Sequence, residues 1–474
     1  MTCRYLQSRR VVLGGGDSPL RIAAARVRIE GTTITQIEEL DDGDHASLPP
    51  GSVVDDYGDK LVTPAFINAH THLALGFLRG YDMGGASLGN MVEDFFFEVE
   101  TKLGPDDVSA FARIGAYDSL LSGVGLVWDH YYRGERIAQA LREVGLCGVV
   151  APTLQDLSGP GQSDWEEQLD TTARLASGAE WAGSGIYAAL GPHATDTVSE
   201  GLWLRAVELA ETHDLPIHAH LAQSPEEYAR SVERNGCSPT AWLARLGVFE
   251  RAPAGAFAHG IYASEADLDL LAEAKQHLVW CPYSALVFGY PAPVLAWEAR
   301  GVPWAIATDC ASNNDTMNVQ QELRFIAAQR TLATTSSEAA RAVLRDGTAE
   351  SVDAAWNHRR EAYEAHADLV APERMLSRLW DVPGAMHPGF VAGRIAEGAL
   401  ANLLVFDLDH PALWPAVEPL RTLTMADAAP AIWAMYGGGR LLGEPGNFHR
   451  SILNSDGYRD ARVEASDRLR RILS

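Results

Sequence analysis

One pattern repeats through the middle of the chain: a short apolar run, an amphipathic helical stretch, then another apolar run. The runs are FINAH (66–70), GLVWDHYY (125–132), CGVVAP (147–152), GIYAAL (185–190), LPIHAH (215–220), GAFAHG (255–260), HLVWCP (277–282) and VPWAIATD (302–309). Between them lie helical patterns such as LWLRAVELAETH (202–213) and ASEADLDLLAEA (263–274). Alternation of this kind predicts an α/β fold with a parallel sheet, because consecutive parallel strands need a crossover. Eight such runs fit a closed (β/α)8 barrel of the TIM type.

The two ends of the chain read differently. Residues 10–13, 25–30, 33–38 and 52–55 are short β-rich segments separated by Gly, Asp and Pro turns. A matching set returns at 401–407, 431–436 and 440–442. The expected division is therefore a small β-sandwich built from 1–63 and 386–445, a barrel over 64–385, and a C-terminal segment over 446–474. Residues 456–473 predict an amphipathic terminal helix. The polar stretch 331–380 predicts helices on the outer side of the barrel or over its mouth.

Composition excludes several classes. A net charge of −25 opposes nucleic-acid binding, which demands a basic surface. No apolar run reaches the roughly 18–20 residues of a membrane helix. The first residues lack the apolar core of a signal peptide, so a cytoplasmic protein is expected. Five scattered cysteines without a CxxC pair give neither a disulfide framework nor a zinc ribbon. The partner expected is a small-molecule substrate, on a chain that forms a homo-oligomer, a dimer or larger.

The chemistry sits at the ends of the runs. His70 and His72, two apart, project to one side at the end of the first run, and barrel enzymes keep their sites at that end. An HxH pair alone is weak. His218 and His220 end the fifth run, however, His259 ends the sixth and Asp309 the eighth. Imidazoles and a carboxylate converging from different strands on one mouth are the donor set of a divalent metal.

These residues also carry a family resemblance. LVTPAFINAHTHLALGFLRGYD resembles the first-strand signature of the amidohydrolase superfamily. HAHLAQS, AHGIYAS and ATDCASNND follow in the order of the branch holding cytosine, guanine and adenosylhomocysteine deaminases and triazine hydrolases. GPHATDT (191–197), CPYSALVFG (281–289) and GRIAEGALANLLVFD (393–407) extend the likeness over nearly the whole chain. The resemblance implies metal ligation by His70, His72, His220 and Asp309, with His259 polarising substrate or water. It implies His193 as a substrate contact and His218 as a support in the pocket wall; Asn313 is a further expected substrate contact. Binuclear members bridge two ions with a carbamylated lysine from the fourth strand. The lysines here are Lys60, Lys102 and Lys275, so one divalent ion is expected, zinc in the first place and iron in the second.

Two departures bear on the reaction. Deaminases of this branch place a glutamate three residues after the metal histidine; here it is Gln223. An amide orients by hydrogen bonding but cannot shuttle a proton. Ser284, Ala285, Leu286 and Val287 stand where many relatives carry polar substrate anchors. Apolar and aromatic residues near the mouth are Phe77, Phe95, Phe96, Phe97, Trp128, Tyr131, Tyr132, Phe288 and Tyr290; Trp128, Tyr131 and Phe288 are the expected substrate contacts among them.

The leading expectation is a mononuclear hydrolase that cleaves a C–N bond of an apolar amide, urea or carbamate, as phenylurea and thiocarbamate hydrolases of the family do. Attack is by ion-activated hydroxide, with Asp309 as base and Gln223 holding the substrate. The alternative is an aminohydrolase or chlorohydrolase acting on a nitrogen heterocycle, a pterin, purine, pyrimidine or triazine. A third reading, a non-catalytic binding barrel, conflicts with the complete ligand set.

Overall fold

Each of the eight middle runs contributes a strand to the computed structural model, which describes residues 4–41, 51–81, 90–287, 289 and 291–473. The chain opens with β1 (Arg4–Gly15), β2 (Ser18–Glu30), β3 (Thr33–Glu39), β4 (Val53–Asp56) and β5 (Leu61–Pro64). The middle supplies β6 (Phe66–Thr71), β7 (Val124–Tyr131), β8 (Cys147–Leu154), β9 (Ile186–Ala188), β10 (Gly191–Pro192), β11 (Ile217–Leu221), β12 (Gly255–His259), β13 (His277–Trp280) and β14 (Trp304–Ile306). The chain closes with β15 (Leu403–Phe406), β16 (Ile432–Gly437) and β17 (Arg440–Leu442).

Both ends meet in one eight-stranded sheet of order β17-β16-β15-β5-β1-β2-β3, with β4 beside β1. β5 has no counterpart among the expected strands. It joins the halves by lying parallel to β1 and antiparallel to β15. Leu6, Val11, Val27, Val62, Leu403 and Val405 pack there as one buried cluster, the sheet's main source of hydrophobic stabilisation.

The middle strands are parallel throughout and form two sheets, β6-β7-β8 with β9 and β10, and β11-β12-β13-β14. They are buried except at Tyr187 and His277, which are half-buried, as parallel strands under crossover helices must be. The sheets meet along both edges. On one, Leu190 bridges Ile217 and the His220 amide donates to the His193 carbonyl at 2.9 Å. On the other, the Asp309 amide donates to the His70 carbonyl at 3.2 Å, and the Asn68 side chain exchanges hydrogen bonds with Thr308 at 2.7 and 3.1 Å.

The helix Pro105–Leu121 fixes the segment that follows β6. A Cβ at Gly115 would stand 2.3 Å from the Leu73 carbonyl oxygen, so only glycine lets the helix approach the backbone beside His72. The helices Glu338–Asp346 and Ala349–Ala365 fall in the stretch expected to be helical, and the first buries no side chain. The terminal helix spans Asp456–Leu473. Among the described residues no helix is long and apolar enough to cross a membrane.

Candidate metal centre

Four strand ends bring the predicted donors together. His70 lies on β6 with His72 just beyond it, His220 on β11, His259 at the end of β12, and Asp309 past β14. Asp309 Oδ1 is 3.4 Å from His72 Nε2 and 3.7 Å from His70 Nε2. Two overlapping groups, His70–His72–His220 and His70–His259–Asp309, each keep their ligand atoms within 4.8 Å of one another.

Hydrogen bonds fix which nitrogens face inward. Nδ1 of His72 lies against the His130 carbonyl and Nδ1 of His220 against the His193 carbonyl. A carbonyl only accepts, so both Nδ1 atoms carry the proton and both Nε2 atoms present lone pairs. Those two Nε2 atoms face each other at 3.3 Å. His70 Nδ1 pairs with His218 Nε2 at 2.8 Å, which leaves His70 Nε2 buried without a protein partner, as is His259 Nε2. Opposed lone pairs and orphaned ring nitrogens beside a carboxylate are reconciled by a cation, and the residues fit a divalent ion of the zinc or iron class.

Electrostatics point the same way. Burial, reinforced by the neighbouring imidazoles, holds His70 and His220 well below the ordinary histidine value. Burial takes His259 down to about 4 against the opposing pull of Asp309. Neutral imidazole is the ligating form. The backbone is strained here as well: His259 has φ 81° and Asp309 φ 62°, left-handed values that cost a non-glycine residue on the order of 1 kcal/mol or more and cluster at functional sites.

The Asp309 carboxylate is held on both oxygens. Oδ1 accepts from the Cys310 amide at 2.9 Å. Oδ2 accepts from Ser284 Oγ at 2.7 Å and from Asn313 Nδ2 at 3.3 Å, and Asn313 also donates to Ser284 at 2.8 Å. Ser284 thus positions the carboxylate. Ala285 is buried and Leu286 is half exposed, and neither borders the cleft, so this turn does not supply the apolar substrate wall expected of it.

Above the donors opens a cleft. Of the expected substrate contacts, His193, Tyr131 and Asn313 line it, as does Gln223. His218 does not; it backs His70 from below, fully buried. Trp128 does not either: it sits one layer deeper on β7 and packs with Ile67 and Ala69. Phe96, Phe97 and Tyr132 border the cleft, whereas Phe77 stacks on Phe111 of a flanking helix. Phe288 and Tyr290 lie outside the described residues.

Several lining residues, Val92, Glu100, His130 and Thr153 among them, have no warning in the sequence, whereas Phe96 and Phe97 are among the aromatics it places near the mouth. Val92, Phe96 and Phe97 come from a π-helical turn, Val92–Phe97, a form that recurs at functional sites. Arg230 clamps this turn to the helix Pro225–Asn235, bonding both oxygens of Glu93 at 2.5 and 2.8 Å and Asp196 at 3.1 Å. Glu100 borders the cleft with its carboxyl pushed up to about 8 by burial, beside the Tyr131 hydroxyl. His130 and Thr153 complete the polar wall.

A model of the amidohydrolase family matches residues 61–349. The 5-methylthioadenosine/S-adenosylhomocysteine deaminase of Halobacterium salinarum is 28% identical over 417 residues, 86% of this chain and 88% of that protein. An adenosine deaminase from Xanthomonas campestris with bound zinc superposes with a TM-score of 0.78 at 23% identity, covering 99% of this chain and 98% of its own. Atrazine chlorohydrolase from Arthrobacter aurescens, also with zinc, gives 0.76 at 18% identity, covering 98% and 100%. The two structural likenesses are likenesses of fold. With the family match running from β5 past all four strand ends that carry the donors, the chain belongs to the amidohydrolase family and is a metal-dependent hydrolase of C–N bonds.

Proposed function

We propose that the chain is a mononuclear aminohydrolase that removes an exocyclic amino group from a nitrogen heterocycle of nucleoside type, with His70, His72, His220 and Asp309 holding one zinc or iron ion. The observation that carries this reading is the lining of the cleft. Polar donors and acceptors (His72, His130, His193, His220, Asn313, Thr153) and aromatic faces (Phe96, Phe97, Tyr131, Tyr132) line it together. That mixture suits a flat ring with polar edges better than a wholly apolar molecule. The deaminase relatives support it along most of the chain.

A bound ion would polarise the reacting group and acidify a water. The remaining work falls to the protein. Asp309 Oδ1 takes a proton of the attacking water and passes it to the ring nitrogen, then carries the remaining hydroxyl proton to the amino group, which leaves as ammonia. Oδ2 is fixed by Ser284 and Asn313, so the carboxylate is oriented in advance. His259, neutral and stacked on His220 at 5.4 Å, stabilises charge developing on oxygen. Gln223 orients the ring without carrying a proton. Glu100, largely protonated at neutral pH, offers a buried acid to a hydroxyl of the substrate.

Gln223 itself favours a second reading, hydrolysis of an amide, urea or carbamate, which needs one proton delivery where deamination needs two. Product analysis separates the two. Metal-loaded protein is incubated with adenine nucleosides, aminopurines and triazines, and with matched amides and ureas. Free ammonia from a heterocycle supports the first reading; a substituted amine from the acyl compounds alone rejects it. We also propose that the two parallel sheets close as one (β/α)8 barrel over 64–385, flanked by the β-sandwich of 1–63 and 386–445 and the helical segment 446–474.

A further inference from the structure

We infer that His130 is a specificity-determining residue that donates a hydrogen bond from Nε2 to a ring nitrogen of the substrate. The inference rests on the heterocycle reading of the site and adds the atom by which the ring is recognised.

The argument is one of satisfied and unsatisfied polar atoms. His130 is 1% exposed and borders the cleft, yet its Nε2 has no hydrogen-bond partner among the described residues. Buried ring nitrogens seldom lack one, and an orphan on a ring that borders a cleft marks a place for a ligand. Nε2 belongs to neither group of metal-spaced donors. The ring nevertheless stands beside them, its centroid 5.0 Å from that of His220, 5.9 Å from His193 and 6.0 Å from His72. A substrate reacting at the centre passes within reach of it.

Thr153 decides the sign of the hydrogen bond. Its hydroxyl, on a residue 1% exposed, lies 3.1 Å from His130 Nδ1, its one partner among the described residues. The Thr153 hydroxyl is taken as the donor and Nδ1 as its acceptor. Nδ1 is then unprotonated and Nε2 carries the hydrogen, so the ring offers a donor. The His130 carbonyl simultaneously holds His72 Nδ1, so the donor and the metal ligand share one strand end in fixed register. A donor pointed from this wall selects a ring with an acceptor nitrogen and rejects the carbon analogue.

The test uses the full-length, zinc-loaded protein and the aminated heterocycle that gives the fastest ammonia release, together with its deaza analogues, in each of which one ring nitrogen is replaced by CH. One deaza analogue is expected to lower kcat/KM of the wild type about tenfold, the worth of one neutral hydrogen bond. In His130→Phe the same pair should react equally, and His130→Gln, which keeps a donor, should restore part of the preference. In histidine-labelled wild type, nitrogen NMR should find Nε2 of His130 protonated, with the signal shifted by Thr153→Val. Full discrimination in His130→Phe, or an Nδ1-protonated ring, overturns the inference while leaving the aminohydrolase reading intact. No ammonia from any aminated heterocycle removes that reading, and the inference falls with it.

Discussion

Gln223→Glu places an ionisable oxygen at the edge of the cleft, and the surrounding structure is able to accept it. The amide of residue 223 already donates to Glu227 Oε2 at 2.7 Å, and Ser224 caps the helix that begins at Pro225. An anion just ahead of a helix N-terminus is favoured by about 0.3–1 kcal/mol. Glu227 is the opposing charge, but burial and Asp196 push its carboxyl up, so it takes a proton rather than forcing the loop apart. The cost in stability should therefore stay below about 1 kcal/mol. The gain is a proton carrier, worth about 10²–10⁴ in rate, or roughly 2.7–5.4 kcal/mol of barrier. Ammonia release from an aminated heterocycle at pH 7 should rise at least about a hundredfold in kcat. A variant with wild-type metal content and melting temperature, yet a kcat within about threefold of the wild type, would refute the reasoning, because proton delivery would then not limit the reaction.

Two further outcomes follow from the geometry. His218→Leu removes the hydrogen bond to His70 Nδ1 at 2.8 Å and should weaken metal affinity about 10- to 100-fold, measured by chelator competition; unchanged affinity would make His218 mere packing. Burial lifts the Glu322 carboxyl from 4.5 to about 7, so the folded state binds the extra proton. Its contribution is present below the unfolded value and is lost as pH rises through about 7, roughly 3 kcal/mol in all. Denaturant melts at pH 5 and pH 8 should show a shallower slope in Glu322→Gln than in the wild type, since Asp129 and Glu227, raised to about 7 by burial, and Glu100, raised to about 8, keep their share; equal slopes in the two proteins would contradict it.

The strands of the middle were legible because fully buried parallel strands leave continuous apolar runs, and the donors because each ends one of those runs. β5 escaped notice because LVTP merges with FINAH into one apparent strand, although the sandwich strand ends at Pro64 and only Ala65 separates it from β6. Strand alternation gives the face of a residue and not its depth. Trp128 and His130 share a face of β7, but only His130 reaches the cleft, while Trp128 lies a layer below. Its one signal was its place beyond Asp129, at a strand end as His70 is. Glu100 and Arg230 lie outside the apolar runs and depend on tertiary approach, which periodicity does not record. The apolar turn after Pro282 weighed toward an apolar substrate in the sequence. In the fold Leu286 faces outward, and the balance moves to the heterocycle.

Metal stoichiometry with coordination spectroscopy tests the centre most directly. Protein purified without chelator, or reconstituted with zinc, should hold one ion per chain in a shell of imidazole nitrogen and carboxylate oxygen. His70→Ala and His72→Ala should each lower the occupancy sharply, and Asp309→Asn should abolish turnover while the fold persists. Two ions per chain, none after reconstitution, or full occupancy in both histidine variants would contradict a single site held by His70, His72, His220 and Asp309.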